Sequence, residues 1–269
     1  SRFSAYVFMM RGNYKTFTPL PPKKTISADQ ENIFNTEIGI NLRYAPGEKK
    51  INTYRKDYGL SGNHPVFELN YSRGIPGVFG SMYQYDKIFA QVSQLIRVHR
   101  WGTINYRIYG GKIIGQSLPF MLLEVHPGNE IFYYSKQSFN LMNRFEYVSD
   151  EYAGFTMEND FEKKLINLVP FLRKVNVRQF WNFKAVWGNL STSDKLLNCK
   201  EYHGYAMQSL NGRPYIEMGT GLDNIFRYFR LDLVWRLSST LRARKTAPST
   251  DYQKLAGRFG VFGSFHFQF

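Results

Sequence analysis

Hydrophobic and polar positions alternate along most of this chain, which is the period expected of β-strands whose two faces meet different surroundings. The clearest run is residues 259–269, where the odd positions are phenylalanine, valine or glycine and most even positions are small or polar. A tilted strand needs about 9–11 residues to cross a bilayer, and its lipid-facing residues alternate with its interior-facing ones. This run therefore predicts a transmembrane strand whose lipid-facing end is Phe265, Phe267 and Phe269.

The strand predicted over residues 228–237 separates charges from hydrophobic residues in the same way. We expect one face to contact hydrocarbon and the other to line a wet interior, where Glu217 from the preceding strand joins the charged group. The lipid-facing residues are Leu231, Leu233 and Trp235, and the interior candidates are Glu217, Arg230, Asp232 and Arg236. An arginine is thus expected to be harmful at Leu233 and mild at Val234. Asp223 and Asn224 predict a tight turn before this strand.

The alternation predicts about ten strands, each with antiparallel neighbours. They cover residues 3–12, 34–45, 67–72, 83–98, 102–114, 151–162, 175–188, 215–222, 228–237 and 259–269. Residues 48–63 fit no element, and residues 115–149 and 189–212 are predicted as loops. The predicted fold class is an all-β transmembrane antiparallel barrel over residues 1–269. Ten strands fit a small closed barrel or the C-terminal part of a larger one of about sixteen strands. A soluble antiparallel sandwich is the alternative.

Composition agrees with this interpretation. The mean hydropathy is −0.39 and no stretch approaches 18 uninterrupted apolar residues, which excludes a helical membrane protein. Aromatic residues make up 17% of the chain, and membrane barrels use them at both interfaces. The net charge of +14 is spread over strands and loops without a nucleic-acid motif, so it indicates a basic interior or loops that face lipopolysaccharide. The single cysteine, Cys199, excludes a disulfide framework.

No constellation of catalytic, cofactor-binding or metal-ligating residues is visible. The five histidines lack a metal-binding spacing, and His126 and Glu130 are interpreted as a chance pair in a loop. Gly257, Gly260 and Gly263 open a strand and precede no helix, which argues against a dinucleotide site. We therefore expect a non-enzymatic protein without a cofactor or metal.

Several long strings resemble a Bacteroidota outer-membrane family whose members are called carboxypeptidase-like regulatory domain-containing proteins and carry a C-terminal domain of unknown function. The resemblance runs from about residue 36 to the end and depends on RYAPGEK, HPVFELNYSRGI, LEVHPGNE, FNLMNRFEYVSDEY, LVPFLRKVNVRQFW, WGNLS and PYIEMGTGLDNIFRYFRLDLVWRL. It implies an outer-membrane location, and a signal peptide and an immunoglobulin-like regulatory domain that precede this chain. It implies no peptidase activity.

A weaker resemblance links the order of these strings to the BamA-like outer-membrane barrels, which insert or translocate other proteins. In those barrels a long loop folds into the interior and carries a Val-Arg-Gly motif. Here Asn143, Arg144 and Phe145 stand in the corresponding region without the glycine, and Lys184 stands where an acidic partner is expected. Arg144 remains the candidate residue of this loop.

These resemblances predict a protein accessory to outer-membrane protein assembly or export, within a larger envelope complex. The expected partners are outer-membrane lipid, lipopolysaccharide and other outer-membrane or periplasmic proteins, and nucleic acid is not expected. A passive pore or transporter with a charged interior is the first alternative. A membrane anchor for a periplasmic domain is the second.

The terminal strand generates the first testable prediction. In related barrels this strand resembles the signal that the assembly machinery reads, so its loss acts before folding. Deletion of Phe265 to Phe269 is expected to abolish membrane insertion rather than only reduce stability, as measured by membrane fractionation. Recovery of the truncated chain in the outer membrane, with heat-modifiable migration like that of the full chain, would contradict this.

Overall fold

The computed structural model describes residues 3–14, 33–52, 57–60, 63–99, 101–166, 176–199, 207–238 and 257–265. The regular structure of this part of the chain is mainly β-strand, with one short α-helix, α1 (Thr192–Asn198). The strands are β1 (Phe3–Tyr14), β2 (Ile33–Tyr44), β3 (Lys49–Asn52), β4 (Asp57–Leu60), β5 (Val66–Gly74), β6 (Tyr85–Val98), β7 (Gly102–Gly115), β8 (Glu124–Val125), β9 (Val148–Ser149), β10 (Glu151–Asp160), β11 (Arg178–Asn189), β12 (Tyr215–Ile225), β13 (Phe229–Arg236) and β14 (Phe259–Phe265).

Ten strands form one antiparallel sheet in the order β1-β2-β5-β6-β7-β10-β11-β12-β13-β14. Strands that are adjacent in this sheet also follow one another along the chain, apart from two small hairpins, β3–β4 and β8–β9. The prediction of an all-β fold with ten antiparallel strands is therefore confirmed. Among the described residues, β1 and β14 are the two edges of this sheet. No helix in the described ranges is long and apolar enough to cross a membrane.

Register places polar and apolar side chains on opposite faces of the sheet. We call the face that carries Glu217 and Asp232 the polar face, and the face that carries Leu231 and Trp235 the apolar face. Glu217 and Asp232 are 1% and 0% exposed, whereas Leu231 and Trp235 are 41% and 37% exposed. Charged residues are rarely buried and large hydrophobic ones rarely form exposed patches in soluble proteins. The sheet thus has the reverse of the usual burial pattern.

Residues 116–150, which we call the docked segment, cover much of the polar face. They connect β7 to β10 and contain only the two-residue strands β8 and β9. Hydrophobic side chains of the segment pack onto polar-face residues in three clusters, such as Tyr134 and Leu141 against Val234 and Phe262. The core therefore lies between one sheet and one long connection. The described residues contain no second large sheet, which a sandwich of two separate sheets would require.

The predicted tight turn at Asp223 and Asn224 is wrong. Strand β12 continues to Ile225, with a register shift after Leu222. Asn224 has a φ of 63°, and asparagine adopts this left-handed region more readily than most residues. It therefore forms part of a strand irregularity, and the chain reverses just after Ile225.

The structure also removes the basis for expecting that arginine is mild at Val234. Val234 lies on the polar face as predicted, but it is 1% exposed because Tyr134 and Leu141 of the docked segment cover it. The alternation gives the face of a side chain and not what covers that face.

Helix α1 lies within residues 189–212, which were predicted as a loop. Ser191 caps its N-terminus by accepting a hydrogen bond from the backbone N–H of Asp194. Asp194 in turn accepts the backbone N–H of Leu118 at 2.8 Å, and Asn198 accepts that of Phe120 at 2.7 Å. Seven residues are too few for a helical period to be recognised in the sequence. The helix holds the start of the docked segment.

Candidate functional site

The candidate site is the polar face of β10 to β13 together with the docked segment. Direct cross-strand pairing places Lys184 beside Glu217, and Glu217 beside Arg236. Charges of alternating sign thus lie side by side across three strands. Opposite charges in directly paired positions stabilise a sheet. In addition, each of the three side chains reaches the docked segment.

Glu217 binds the backbone of the docked segment. Its two carboxylate oxygens accept the N–H groups of Asn140 and Leu141, each at 2.8 Å, and the hydroxyl of Tyr215 donates to it at 2.7 Å. Three hydrogen bonds satisfy a carboxylate that has almost no contact with solvent. Glu217 therefore fixes the position of residues 140 and 141.

Lys184 holds the preceding turn of the same segment. Its ammonium group donates to the backbone carbonyls of Ser135 and Ser138, at 2.8 and 2.6 Å, and lies 4.9 Å from the ring centre of Tyr134. The carboxylate of Glu217 thus accepts backbone N–H groups, and the ammonium group of Lys184 donates to backbone carbonyl oxygens. The segment is bound through its backbone on both sides of Phe139.

Arg230 joins the strands to each other more than to the segment. Its guanidinium group makes two hydrogen bonds of 3.0 Å to Asp232 and reaches Glu158 at 3.0 Å. It lies 3.6 Å from the ring centre of Phe180 and 4.8 Å from that of Tyr134. A buried arginine between two carboxylates and two aromatic rings is well compensated for its loss of hydration.

Arg236 binds the end of the docked segment. Its guanidinium group lies 3.5 Å from a carboxylate oxygen of Glu146 and 3.3 Å from the hydroxyl of Tyr147. The other oxygen of Glu146 accepts the backbone N–H of Asn143 at 2.7 Å. The carboxylate of Glu146 therefore links Arg236 to a turn of the segment.

Arg144 lies apart from this cluster. It is exposed, and its guanidinium group lies 5.8 Å from the ring centre of Phe145. The long connection does fold onto the polar face, but side chains of the sheet hold it through its backbone. This arrangement requires no arginine motif in the segment itself.

The structure thus brings together the four interior candidates, Glu217, Arg230, Asp232 and Arg236, but not the loop candidate Arg144. Sequence reasoning missed Glu146 and Tyr134 of the segment, and it did not single out Glu158. Glu158 lies two residues from Thr156 in β10 and so shares the polar face with it, and this alternation is the only signal in the sequence. Nothing in the sequence pairs residues of the segment with particular strands.

The docked segment also contacts the edge strand β14. The N–H of Gly263 donates to the carbonyl of Phe132 at 3.0 Å, and the carbonyl of Gly263 accepts the N–H of Tyr134 at 3.2 Å. Of the terminal aromatic residues, Phe265 is 56% exposed on the apolar face. Phe267 and Phe269 lie outside the described residues.

Within the segment, His126 and Ser149 form a hydrogen-bonded pair, with 2.9 Å between Nε2 and Oγ. Burial lowers the pKa of His126 to about 4, so the imidazole is neutral near pH 7. His126 is 1% exposed and Ser149 0% exposed, which leaves no access for a substrate. Burial also raises the pKa of the Cys199 thiol, which disfavours the reactive thiolate. No cluster of metal-ligating side chains occurs in the described ranges.

Comparison with known families gives one match. The model of the C-terminal domain of a family of unknown function (DUF5686) matches residues 3–196. The chain belongs to this family. The DUF5686 match covers β1 to β11 and most of α1, including the whole docked segment, whereas Glu217, Arg230 and Arg236 lie beyond it. A search of curated proteins found none that matches the chain.

We predict that Glu217→Gln loosens the docked segment. The amide keeps one acceptor oxygen but places an NH₂ group against a backbone N–H, so at least one buried donor loses its partner. Such a loss costs about 1–3 kcal/mol. We expect faster proteolysis within residues 128–145 and a lower unfolding temperature. The control is Glu130→Gln, an exposed carboxylate in the same segment. Equal proteolysis of both variants would contradict the anchoring role.

We predict that acid weakens the docked segment through His126. Its folded-state pKa of about 4 lies below its ordinary value of 6.5, so stability is fully present above pH 6.5 and is lost as the pH falls towards 4. The loss approaches about 3 kcal/mol at the lower end. Amide hydrogen exchange in residues 122–149, followed as a function of pH, measures this loss of stability. His126→Gln is expected to remove most of this pH dependence, and an unchanged pH profile would contradict the prediction.

Proposed function

We propose that this chain is a non-enzymatic outer-membrane β-barrel domain that is accessory to the assembly or export of other envelope proteins. The observation that carries the membrane location is the reversed burial of the sheet. Its apolar face exposes large hydrophobic side chains from one edge to the other, on strands β1, β2, β5, β6, β7, β11, β12, β13 and β14: Phe3, Val7, Ile38, Ile40, Phe67, Leu69, Ile88, Ile108, Trp181, Met218, Leu231, Trp235, Phe259 and Phe265.

A lipid surface suits this face better than a protein partner. Exposed apolar patches on monomeric soluble proteins reach a few hundred Å², whereas this one extends across a ten-stranded sheet. Bilayer hydrocarbon requires every backbone group to be paired, so the proposal also requires closure of the sheet into a barrel. The alternation of lipid-facing and interior-facing residues is typical of such barrels.

The docked segment supports a role other than a passive pore. It occupies the polar face of β10 to β14, which would be the interior of the barrel, and hydrophobic clusters as well as charged anchors hold it there. The resemblance to the BamA-like barrels supports assembly or export. The proposed partners are lipid and lipopolysaccharide at the apolar face, and other envelope proteins at the exposed loops.

The passive pore remains the second candidate because of a cavity of about 530 Å³ under the docked segment, with charged side chains in its walls. Planar-bilayer recordings distinguish the two functions. A plugged accessory domain is expected to be closed, with conductance only after deletion of residues 128–145. A large steady conductance of the intact chain would favour the pore.

The test of the accessory function is depletion of the protein in its native cells, followed by quantitative mass spectrometry of outer-membrane and secreted proteins. We expect reduced levels of a defined subset of barrels or exported proteins. Unchanged levels of all of them would refute the function and leave the membrane location untouched.

The membrane location predicts a large difference between the two faces at neighbouring residues. Leu69→Arg and Leu233→Arg place a charge on the apolar face and are expected to cost about 2–4 kcal/mol near the bilayer midplane. The control is Asn70→Arg, on the half-buried polar face of the same strand as Leu69. Urea unfolding in lipid vesicles measures the free energy of unfolding of each variant. In a soluble protein, Leu69 at 42% exposure would tolerate arginine within about 0.5 kcal/mol, and that result would contradict the location.

A further inference from the structure

The cavity under the docked segment lies against the polar face of β6, β7, β10 and β11. Its volume of about 530 Å³ is within the range of small-molecule sites, about 300–1,000 Å³. Its walls contain three cationic side chains, Arg107, Lys136 and Lys184, and two anionic ones, Glu124 and Glu158. The wall therefore carries a small excess of positive charge.

The floor of the cavity is a row of directly paired residues. Arg107 pairs with Thr156, and Thr156 pairs with Lys184 on the next strand. Adjacent strands lie about 4.8 Å apart, so the backbones at the two cationic positions are about 10 Å apart. Threonine is much shorter than either neighbour. The row thus leaves space above Thr156, with a cation on each side.

The charged groups of the wall differ in how far they are already satisfied. Glu158 accepts from Arg230 and from Lys136 at 2.9 Å, and Lys184 donates to two backbone carbonyls. Arg107 uses only its Nε, which donates to Gln91 at 2.7 Å, and its guanidinium group lies 4.7 Å from the ring centre of Tyr109. Among the described residues, none accepts a hydrogen bond from its two terminal nitrogens. Arg107 therefore offers a free fork of donors.

Two buried donors in the same wall also lack acceptors. The Nδ2 of Asn182 and the hydroxyl of Tyr134 have no hydrogen-bond partner in the described part of the chain, although these residues are only 3% and 4% exposed. A buried donor without a partner costs about 1–3 kcal/mol. A ligand rich in acceptor oxygens, or water that such a ligand orders, would satisfy them.

We propose that this cavity binds a phosphate group, held between the guanidinium fork of Arg107 and the ammonium group of Lys184 above Thr156. Arginine binds phosphate oxygens with two parallel hydrogen bonds, and the hydrogen bond from Nε to Gln91 and the contact with the Tyr109 ring restrict the movement of the Arg107 guanidinium group. A phosphate offers acceptors to several donors at once, whereas a carboxylate offers only two oxygens. This inference does not rest on the membrane location or on the accessory function.

The test is a titration of the purified 269-residue chain in detergent, followed by isothermal calorimetry. One arm uses inorganic phosphate, and a second uses a short-chain phosphatidic acid, so that the tighter probe identifies a free phosphate or a lipid headgroup as the source. Arg107→Gln is expected to raise the dissociation constant at least about tenfold. The reason is that the free energy of a hydrogen bond to a charged group corresponds to about a tenfold change in the dissociation constant. Arg144→Gln, an exposed arginine outside the cavity, is the matched control and is expected to bind like the parent chain.

A second variant keeps the test decisive if Arg107→Gln does not fold. Thr156→Leu fills the space above the row without removing a charge, and it is expected to abolish binding while circular dichroism remains unchanged. Saturable binding that both variants lose and Arg144→Gln keeps supports the proposal. Absence of saturable binding of either probe at millimolar concentrations, or equal binding by folded Arg107→Gln or Thr156→Leu, overturns it.

Discussion

The fold depends on how the buried charges of the polar face are satisfied. A buried charge without partners costs several kcal/mol, and no second sheet of the described chain covers this face. Instead Glu217 accepts two backbone N–H groups of the docked segment, and Lys184 donates to two of its carbonyls. The backbone of an irregular connection thus supplies what another side chain supplies in an ordinary ion pair. Without the segment, the polar face would need water in its place.

The docked segment depends on the sheet as much as the sheet depends on the segment. A connection of this length has little secondary structure of its own, so ordering it costs much conformational entropy. The anchors on the sheet, the cap by α1 and the three hydrophobic clusters together offset that cost. They act at separate points along the segment, which explains how a chain without regular structure adopts one arrangement. The contact of Gly263 with Phe132 and Tyr134 extends this arrangement to the edge of the sheet.

The position of the docked segment bears on function because it covers one face of the sheet and leaves the other face exposed. The segment covers much of the polar face, and it also forms part of the wall of the cavity near Arg107 and Thr156. The apolar face carries exposed hydrophobic side chains from β1 at one edge of the sheet to β14 at the other. In the function proposed above for this member of the DUF5686 family, the exposed apolar face would contact lipid and the docked segment on the polar face would oppose conduction.

The sequence by itself determined the ten strands of the large sheet and the face of each of their side chains, but not the short hairpins β3–β4 and β8–β9. A strand has a period of two that depends only on neighbouring residues, so residues 228–237 reveal both faces of β13 without any tertiary information. The partners of those faces were decided by the tertiary structure alone. Asn140 lies 77 residues from Glu217, and no local pattern encodes which backbone groups meet a carboxylate across that separation. The burial of Val234 and the strand irregularity at Asn224 escaped prediction for the same reason: each depends on where the docked segment or a neighbouring strand lies in space.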